Sequence, residues 1–185
     1  MKTPMKTILA LAVSAVLGIV NPYTVLAADF VTQQHGVTVD VPEVLSIAGD
    51  VTNFTLSFSG YVSANSETNT KTVTYTVQSN NMRQADGATA INANLDALLP
   101  YSMDFLADVG AYTKTSGNTG LAESAAGFVK LVAANTAIAK KANTTSGSDG
   151  KLLNGQIPIT YKIKANGEVP TGSYGNQLFI TLTTI

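Results

Sequence analysis

The chain has 185 residues, a formal net charge of -1 and no cysteine. Only 12% of the residues are charged and 45% are hydrophobic, so the polar surface must be built from Thr, Ser, Asn and Gly. The near-neutral charge excludes a protein that is held to nucleic acid by its net charge. One histidine and no cysteine exclude disulfides, cysteine nucleophiles and most zinc sites. We therefore expect no metal and no other cofactor.

The N-terminus has the pattern of a secretory signal peptide. Lys2 and Lys6 precede an apolar run over residues 8–20, and Val25-Leu26-Ala27 supplies small or modest side chains for a cleavage site. This pattern predicts a signal peptide over residues 1–27. The apolar run has about 13 residues, whereas crossing a bilayer takes roughly 20. We expect an exported chain with no membrane span after cleavage.

The predicted mature chain begins with an alternating segment. We expect an exposed leader over residues 28–36 and a single domain over residues 37–185. Val37, Val39 and Val41 alternate with polar residues, which is the period of a β-strand. Two interpretations remain open, because the period fits both. Residues 37–41 are either the first strand of their own sheet or a strand that is donated to another chain.

Further apolar and alternating runs, rich in β-branched and aromatic residues, predict additional strands. They cover residues 44–47, 54–58, 73–77, 101–105, 128–133, 157–163 and 178–182. Loops are predicted for the Gly/Ser/Thr/Asn-rich residues 60–70, 113–120 and 143–150. Residues 85–99 could form one short helix, because Ile91, Leu95 and Leu98 fall at helical spacing. The pattern as a whole indicates an all-β fold, an antiparallel β-sandwich.

A search for chemistry in the sequence finds no catalytic set. His35 is the only histidine, and it lies near the predicted mature N-terminus, where chains are usually mobile. The carboxylates are scattered, so we expect no enzyme. Sugar sites often stack on exposed aromatic rings, and the chain has no Trp. Tyr61 and Tyr112, in or beside predicted loops, are the candidates for such a site, whereas Tyr75 and Tyr161 are predicted to be core residues.

Two segments carry a family resemblance. The first is His35-Gly36-Val37-Thr38-Val39-Asp40-Val41-Pro42-Glu43-Val44-Leu45-Ser46-Ile47, and the second runs from Val169-Pro170-Thr171-Gly172-Ser173-Tyr174 through residues 175–183. They resemble the N-terminal donor strand and the closing strand of cysteine-free chaperone–usher pilins, including class 5 fimbriae. The second segment also resembles spore-coat-U-like secreted β-sandwiches. The closing strand would contain Tyr174, Leu178, Ile180 and Leu182.

The resemblance implies an immunoglobulin-like sandwich that lacks one strand and is completed by donor-strand exchange. Val37, Val39 and Val41 would then lie at the subunit interface. The implied role is that of a structural subunit of a bacterial surface fibre, a fimbrium, reached through the periplasm. The implied partners are copies of the chain itself, a periplasmic chaperone and an outer-membrane usher. The alternative is a soluble exported binding module or adhesin that recognises a glycan.

Overall fold

The computed structural model describes residues 36–184, which contain ten strands and no helix. In chain order the strands are β1 (Leu45–Gly49), β2 (Lys71–Ser79), β3 (Thr89–Leu95), β4 (Met103–Val109), β5 (Thr113–Gly117), β6 (Thr119–Glu123), β7 (Val129–Leu131), β8 (Thr136–Asn143), β9 (Leu153–Ala165) and β10 (Leu178–Leu182). The all-β prediction is confirmed. The predicted signal peptide and His35 lie outside the described residues.

The strands form one mixed sheet with the order β1-β2-β9-β6-β8-β3-β10. Three strands branch from this path, because β4 and β5 pair with β9 and β7 pairs with β4. The ladders are antiparallel except between β6 and β9, where Thr119 and Leu153 pair in parallel. The two end strands, β1 and β10, approach within 8 Å between Cα atoms. The sheet is therefore nearly closed into a barrel. The predicted all-β fold class is confirmed, but the predicted antiparallel sandwich is not.

β9 is the strand around which the sheet is organised. One of its edges pairs with β2 along residues 153–161, and the other pairs with β4 along 159–165 and with β5 along 153–156. Proline within a strand removes a ladder donor. Pro158 is accommodated because it lies where β4 has ended and β5 has not begun. Its carbonyl still accepts a hydrogen bond from the Gly110 N–H at 2.9 Å.

The core follows the period-two pattern of β2 and β9. Val73 and Val77 of β2 and Ile157, Ile159 and Tyr161 of β9 are almost completely buried. The Tyr161 hydroxyl is hydrogen-bonded to the Tyr75 hydroxyl at 3.0 Å, which gives the buried phenol a polar partner. Burial raises the pKa of Tyr161 far above its usual value, so the ring stays neutral. The predicted core positions of both tyrosines are confirmed, with Tyr75 half-buried.

The predicted short helix over residues 85–99 is wrong. Residues 89–95 form β3, in which Ile91, Ala93 and Leu95 are buried while Leu98 is 63% exposed. From Ile91 onward the buried set has period two, and Ala90 is buried beside a register shift at the start of the strand. The helical spacing of three apolar residues was coincidental. Ala93 is the residue that completes the strand face, and alanine gives a weak hydrophobic signal in a sequence.

The predicted loop over residues 113–120 is also wrong, because it contains β5 and the start of β6. β5 is exposed along its whole length and is held by backbone pairing to β9. A strand that buries no side chains leaves no periodic pattern in the sequence. Gly117, with φ of 93°, ends β5 in a left-handed conformation that glycine adopts without strain.

Residues 37–41 form no strand with their own chain. The described structure therefore does not contain this segment as the first strand of its own sheet, and its donation to another chain stays a prediction. Residues 36–39 belong to a different unit from residues 40–184. The side chains of Val37, Val39 and Val41 are 83%, 78% and 75% exposed. Three exposed valines in a row of alternating residues are unusual, because branched apolar side chains are mostly buried.

The last strand can be tested by comparing its two faces. Leu182 is 6% exposed, and Leu182→Ala should lower the free energy of unfolding by about 2–5 kcal/mol. Thr181→Ser, on the exposed face of the same strand, should change it by less than about 0.5 kcal/mol. Urea unfolding followed by tyrosine fluorescence measures both. Equal effects of the two substitutions would contradict a structural role for the buried face of β10.

Candidate functional site

Within residues 36–184 four strands pair along one edge only: the end strands β1 and β10, and the branching strands β5 and β7. β1 pairs only with β2, and β10 pairs only with β3, among the strands of residues 36–184. We refer to these facing, unpaired edges of β1 and β10 as the open seam. Unpaired strand edges offer rows of N–H and C=O groups to any further strand. At the open seam, two strand edges that lack a backbone partner face each other.

The hydrogen-bond pattern shows which residues of β1 face the open seam. In antiparallel ladders, residues that bond to the partner alternate with residues that face away from it. The Asn80 N–H donates to the Val44 carbonyl at 3.2 Å, and the Asp50 N–H donates to the Thr74 carbonyl at 3.0 Å. Residues 44 and 50 therefore face β2. It follows that Leu45, Ile47 and Gly49 turn their N–H and C=O groups toward the open seam.

The same reasoning applies to β10. The Asp96 N–H donates to the Gln177 carbonyl and the Thr183 N–H donates to the Ala90 carbonyl, so residues 177 and 183 face β3. Leu178, Ile180 and Leu182 therefore turn their backbone groups toward the open seam. Their side chains also contact the core. Three of the four residues predicted for the closing strand thus contribute both apolar surface and free backbone groups to the seam.

The fourth closing-strand residue, Tyr174, lies before β10. It is half-buried, and its ring meets that of Tyr101 edge-on at 5.4 Å between centroids. Its hydroxyl donates to the Pro170 carbonyl at 2.7 Å. Tyr174 therefore fixes the turn that leads into β10 and does not line the seam edge itself.

Beyond β1, residues 51–58 continue an apolar face without a ladder. The predicted strand here is wrong as an assignment, because residues 50–70 contain no strand. The alternation is nevertheless present, since Phe54, Leu56 and Phe58 are half-buried against the core. The Phe54 ring stacks on Tyr161 at 5.3 Å between centroids. The segment has the side-chain pattern of a strand but no backbone ladder.

Asparagine and aspartate side chains extend the ladders at the ends of these unpaired segments. In each case one residue is hydrogen-bonded to a neighbouring segment of the same chain through both its backbone N–H and its side-chain oxygen. Asp50 does so with Thr74, whose N–H donates to Oδ1 at 3.1 Å. Asn69 does so with Ser57, whose N–H donates to Oδ1 at 2.7 Å. These contacts stabilise the edges where the backbone ladder stops.

The same arrangement occurs at two further positions, on Val44 and on Gln177. The N–H of Val44 donates to Oδ1 of Asn80 at 2.8 Å, and that of Gln177 donates to Oδ1 of Asp96 at 3.1 Å. Sequence reasoning missed all four side chains. Asn and Asp at strand ends look like ordinary turn residues, and only the topology shows that they act on the two edges of the sheet.

A surface cavity of about 410 Å³ lies near the β3–β4 connection. Its polar wall contains Asp104, Lys130 and Asn166, and its apolar wall includes Leu95 and Phe105. The Lys130 ammonium lies 2.6 Å from the Asp104 carboxylate. Burial raises the pKa of Asp104, but the Lys130 and Asn166 side chains outweigh this effect and hold it below its usual value. The polar groups of this wall thus bind one another.

The remaining sequence candidates are dispersed. Tyr61 is 81% exposed and Tyr112 is half-buried, so of the two only Tyr61 presents a largely exposed ring. Residues 36–184 hold no group of three or more His, Asp or Glu side chains placed to bind a metal ion. No helix in that range is long and apolar enough to cross a membrane.

No protein-family model matches the sequence, and no curated protein or solved structure of significant similarity was found. The geometry of the described residues must therefore carry the functional argument.

The ladder-extending side chains can be tested at the start of β10. Asp96→Ala removes the acceptor of the Gln177 N–H and should cost about 1 kcal/mol of stability, as is typical of one hydrogen bond. Hydrogen exchange at the Gln177 amide should become faster. Asp96→Asn keeps the Oδ1 acceptor and is the matched control. Unchanged exchange in the alanine variant would show that Asp96 does not hold this edge.

The lowered pKa of Asp104 predicts how the stability of the chain changes in acid. A carboxylate with a lowered pKa in the folded state contributes stability that is present above the unfolded value and lost as the pH falls through the folded value. With an ordinary pKa of 3.8, the wild type should lose more stability between about pH 5 and pH 2 than Asp104→Asn does. Thermal melting across this range measures the difference, and parallel pH curves would contradict the prediction.

Proposed function

We propose that the chain is a structural subunit of a bacterial surface fibre, in which residues 37–41 of one subunit enter the open seam of the next. The observation that carries the proposal is that one chain has both an unfilled seam and an exposed segment with alternating apolar side chains. The seam offers backbone groups from both of its sides, and the segment offers alternating valines. Each element supplies what the other lacks.

The proposed donor segment, residues 37–41, would gain by being buried. Val37, Val39 and Val41 are at least three-quarters exposed. Full burial of a valine side chain contributes about 1.5–3 kcal/mol. An added strand also gains main-chain hydrogen bonds, while alternate side chains enter pockets. Leu45, Ile47, Leu178 and Ile180 would supply the bonding and apolar groups on the acceptor side.

The width of the seam sets a condition on this insertion. Neighbouring strands lie about 4.8 Å apart, so a strand inserted between two edges needs a separation of roughly 9.6 Å. β1 and β10 approach within 8 Å at their nearest Cα atoms. Where the edges approach within 8 Å, insertion therefore requires them to separate by at least about 1.6 Å. The inserted strand would join the two edges and complete the sheet, which is the role that the sequence resemblance implies for a donor strand.

The same geometry accounts for a filament and for helper proteins. The donor and acceptor surfaces are different parts of the chain, and such a heterologous contact repeats without closing. An exposed edge also invites unwanted pairing, so an exported subunit needs protection before assembly. A periplasmic chaperone that occupies the seam and an outer-membrane usher that exchanges it fit this need. The place of function is then the cell surface.

A second candidate is an exported glycan-binding module. It is favoured by the exposed Tyr61, which lies at a shallow cavity of about 290 Å³ together with Phe58 and Glu67. Electron microscopy of the purified mature chain and a glycan array distinguish the two candidates. Filaments without glycan binding favour the fibre subunit, and a monomer that binds a defined glycan favours the second candidate.

The fibre proposal is tested with a synthetic peptide. A peptide of residues 28–41 should bind a chain that lacks those residues and raise its melting temperature, because a ligand of the folded state stabilises it. Val39→Asp in the peptide should weaken binding by at least about tenfold, since burying a carboxylate in an apolar site is costly. Thr38→Ser, on the opposite face, is the control and should change little. Calorimetry measures the affinities, and equal binding of all three peptides would refute the proposal.

A further inference from the structure

The side chain of Asn80 binds the chain just before β1. Its Oδ1 accepts a hydrogen bond from the Val44 N–H at 2.8 Å, and its Nδ2 donates to the Pro42 carbonyl at 2.7 Å. Its backbone N–H donates to the Val44 carbonyl at 3.2 Å. The carboxamide therefore acts as one more peptide group of β2. It extends the β1–β2 ladder to residues 42–44, which directly follow the proposed donor segment.

These bonds oppose the shortest hairpin that could form here. Residues 37–41 could reach the free edge of their own β1 through a two-residue turn at Pro42-Glu43. In such a hairpin Val41 and Val44 would bond to each other across the turn. Val44 cannot do so while both its N–H and its C=O are bonded to Asn80. This hairpin would also turn Val44 away from β2, and its favoured turn types need a positive φ that Pro42 cannot adopt. It is therefore excluded whether or not the Asn80 side chain is present.

A three-residue turn at residues 42–44 is opposed as well. Such turns usually place the third residue in the left-handed region, which is strained for a β-branched side chain. Val44 is not among the described non-glycine residues with positive φ, which are Asn65, Tyr101 and Ser102. In this turn the Val44 N–H would donate to the Val41 carbonyl, so its bond to Asn80 Oδ1 would be lost. The remaining short route by which a subunit could fill its own seam therefore passes through a residue that Asn80 binds.

We propose that Asn80 is a positioning residue that prevents residues 37–41 from folding back onto their own subunit. The seam of each subunit then stays available to a strand from another copy. This inference rests on the proposed function and adds to it a choice between self-closure and assembly. A subunit that closes on itself binds a donor with an affinity reduced by the fraction that remains open. Nine-tenths closure thus lowers the apparent affinity about tenfold.

The test uses Asn80→Ala in the chain that begins at residue 28, at concentrations where the wild type is monomeric. We expect at least about tenfold weaker binding of the peptide of residues 28–41, together with loss of filaments at high concentration. The melting temperature should fall by less than the loss of the Asn80 side-chain bonds alone would cause, because a self-filled seam is stabilised. Asn166→Ala removes a side-chain bond to the Ser102 carbonyl, away from residues 42–44, and should leave peptide binding and filaments unchanged.

A second variant separates competition from damage. Removing residues 28–41 from the Asn80→Ala chain deletes the internal competitor, and residues 40–184 form a compact unit of their own. Peptide affinity should return to that of the same deletion with Asn80 intact. Affinity that stays low, or an Asn80→Ala chain that binds as tightly as wild type, overturns the inference alone. Failure of the peptide to bind the deletion chain with Asn80 intact overturns the proposed function, and the inference with it.

Discussion

Backbone hydrogen bonding is the constraint on which this structure depends. Every strand must place its N–H and C=O groups against a partner or leave them to water, and the sheet nearly solves this problem by curling until β1 and β10 meet within 8 Å. It stops one step short of closure. Side chains of Asp50, Asn69, Asp96 and Asn80 supply some of the missing partners at the strand ends. The middle of each edge has none within the described residues, so the open seam is a local deficit of backbone partners.

The deficit is apolar as well as polar. Ile157, Ile159 and Tyr161 of β9 are completely buried, whereas Ile47, Phe54, Leu178 and Ile180 remain only half-buried although they contact the same core. A strand laid along the seam would cover both the backbone and these side chains in one step. The hydrophobic term favours the occupant without direction, and the hydrogen bonds fix its direction and register.

The sequence predicted best the elements with the strongest two-residue period. β2, β9 and β10 were predicted because their branched and aromatic residues alternate with polar ones and bury one face. The prediction failed where burial and pairing separate. β5 is paired but buries nothing, and residues 54–58 bury one face but pair with nothing along a ladder.

The candidate site could be predicted only in part. The closing-strand residues Leu178, Ile180 and Leu182 were found from their alternation, and they do lie on the seam edge. Whether residues 37–41 pair within their own chain could not be predicted from the two-residue period alone. That outcome depends on hydrogen bonds around Val44, which involve Asn80 from a distant part of the chain. Contacts between residues 36 positions apart leave no local signal in a single sequence.

The position of β9 in the chain has a consequence for the timing of folding. This strand pairs with β2, β4 and β5, yet it follows all of them, and Thr72 meets Thr160 from 88 residues away. Chains emerge N-terminus first during synthesis, so β1 to β8 are present before the strand that joins them. Sheets that depend on such distant pairs also fold slowly. The nascent chain therefore passes through a period in which β2, β4 and β5 are made and their shared neighbour is not.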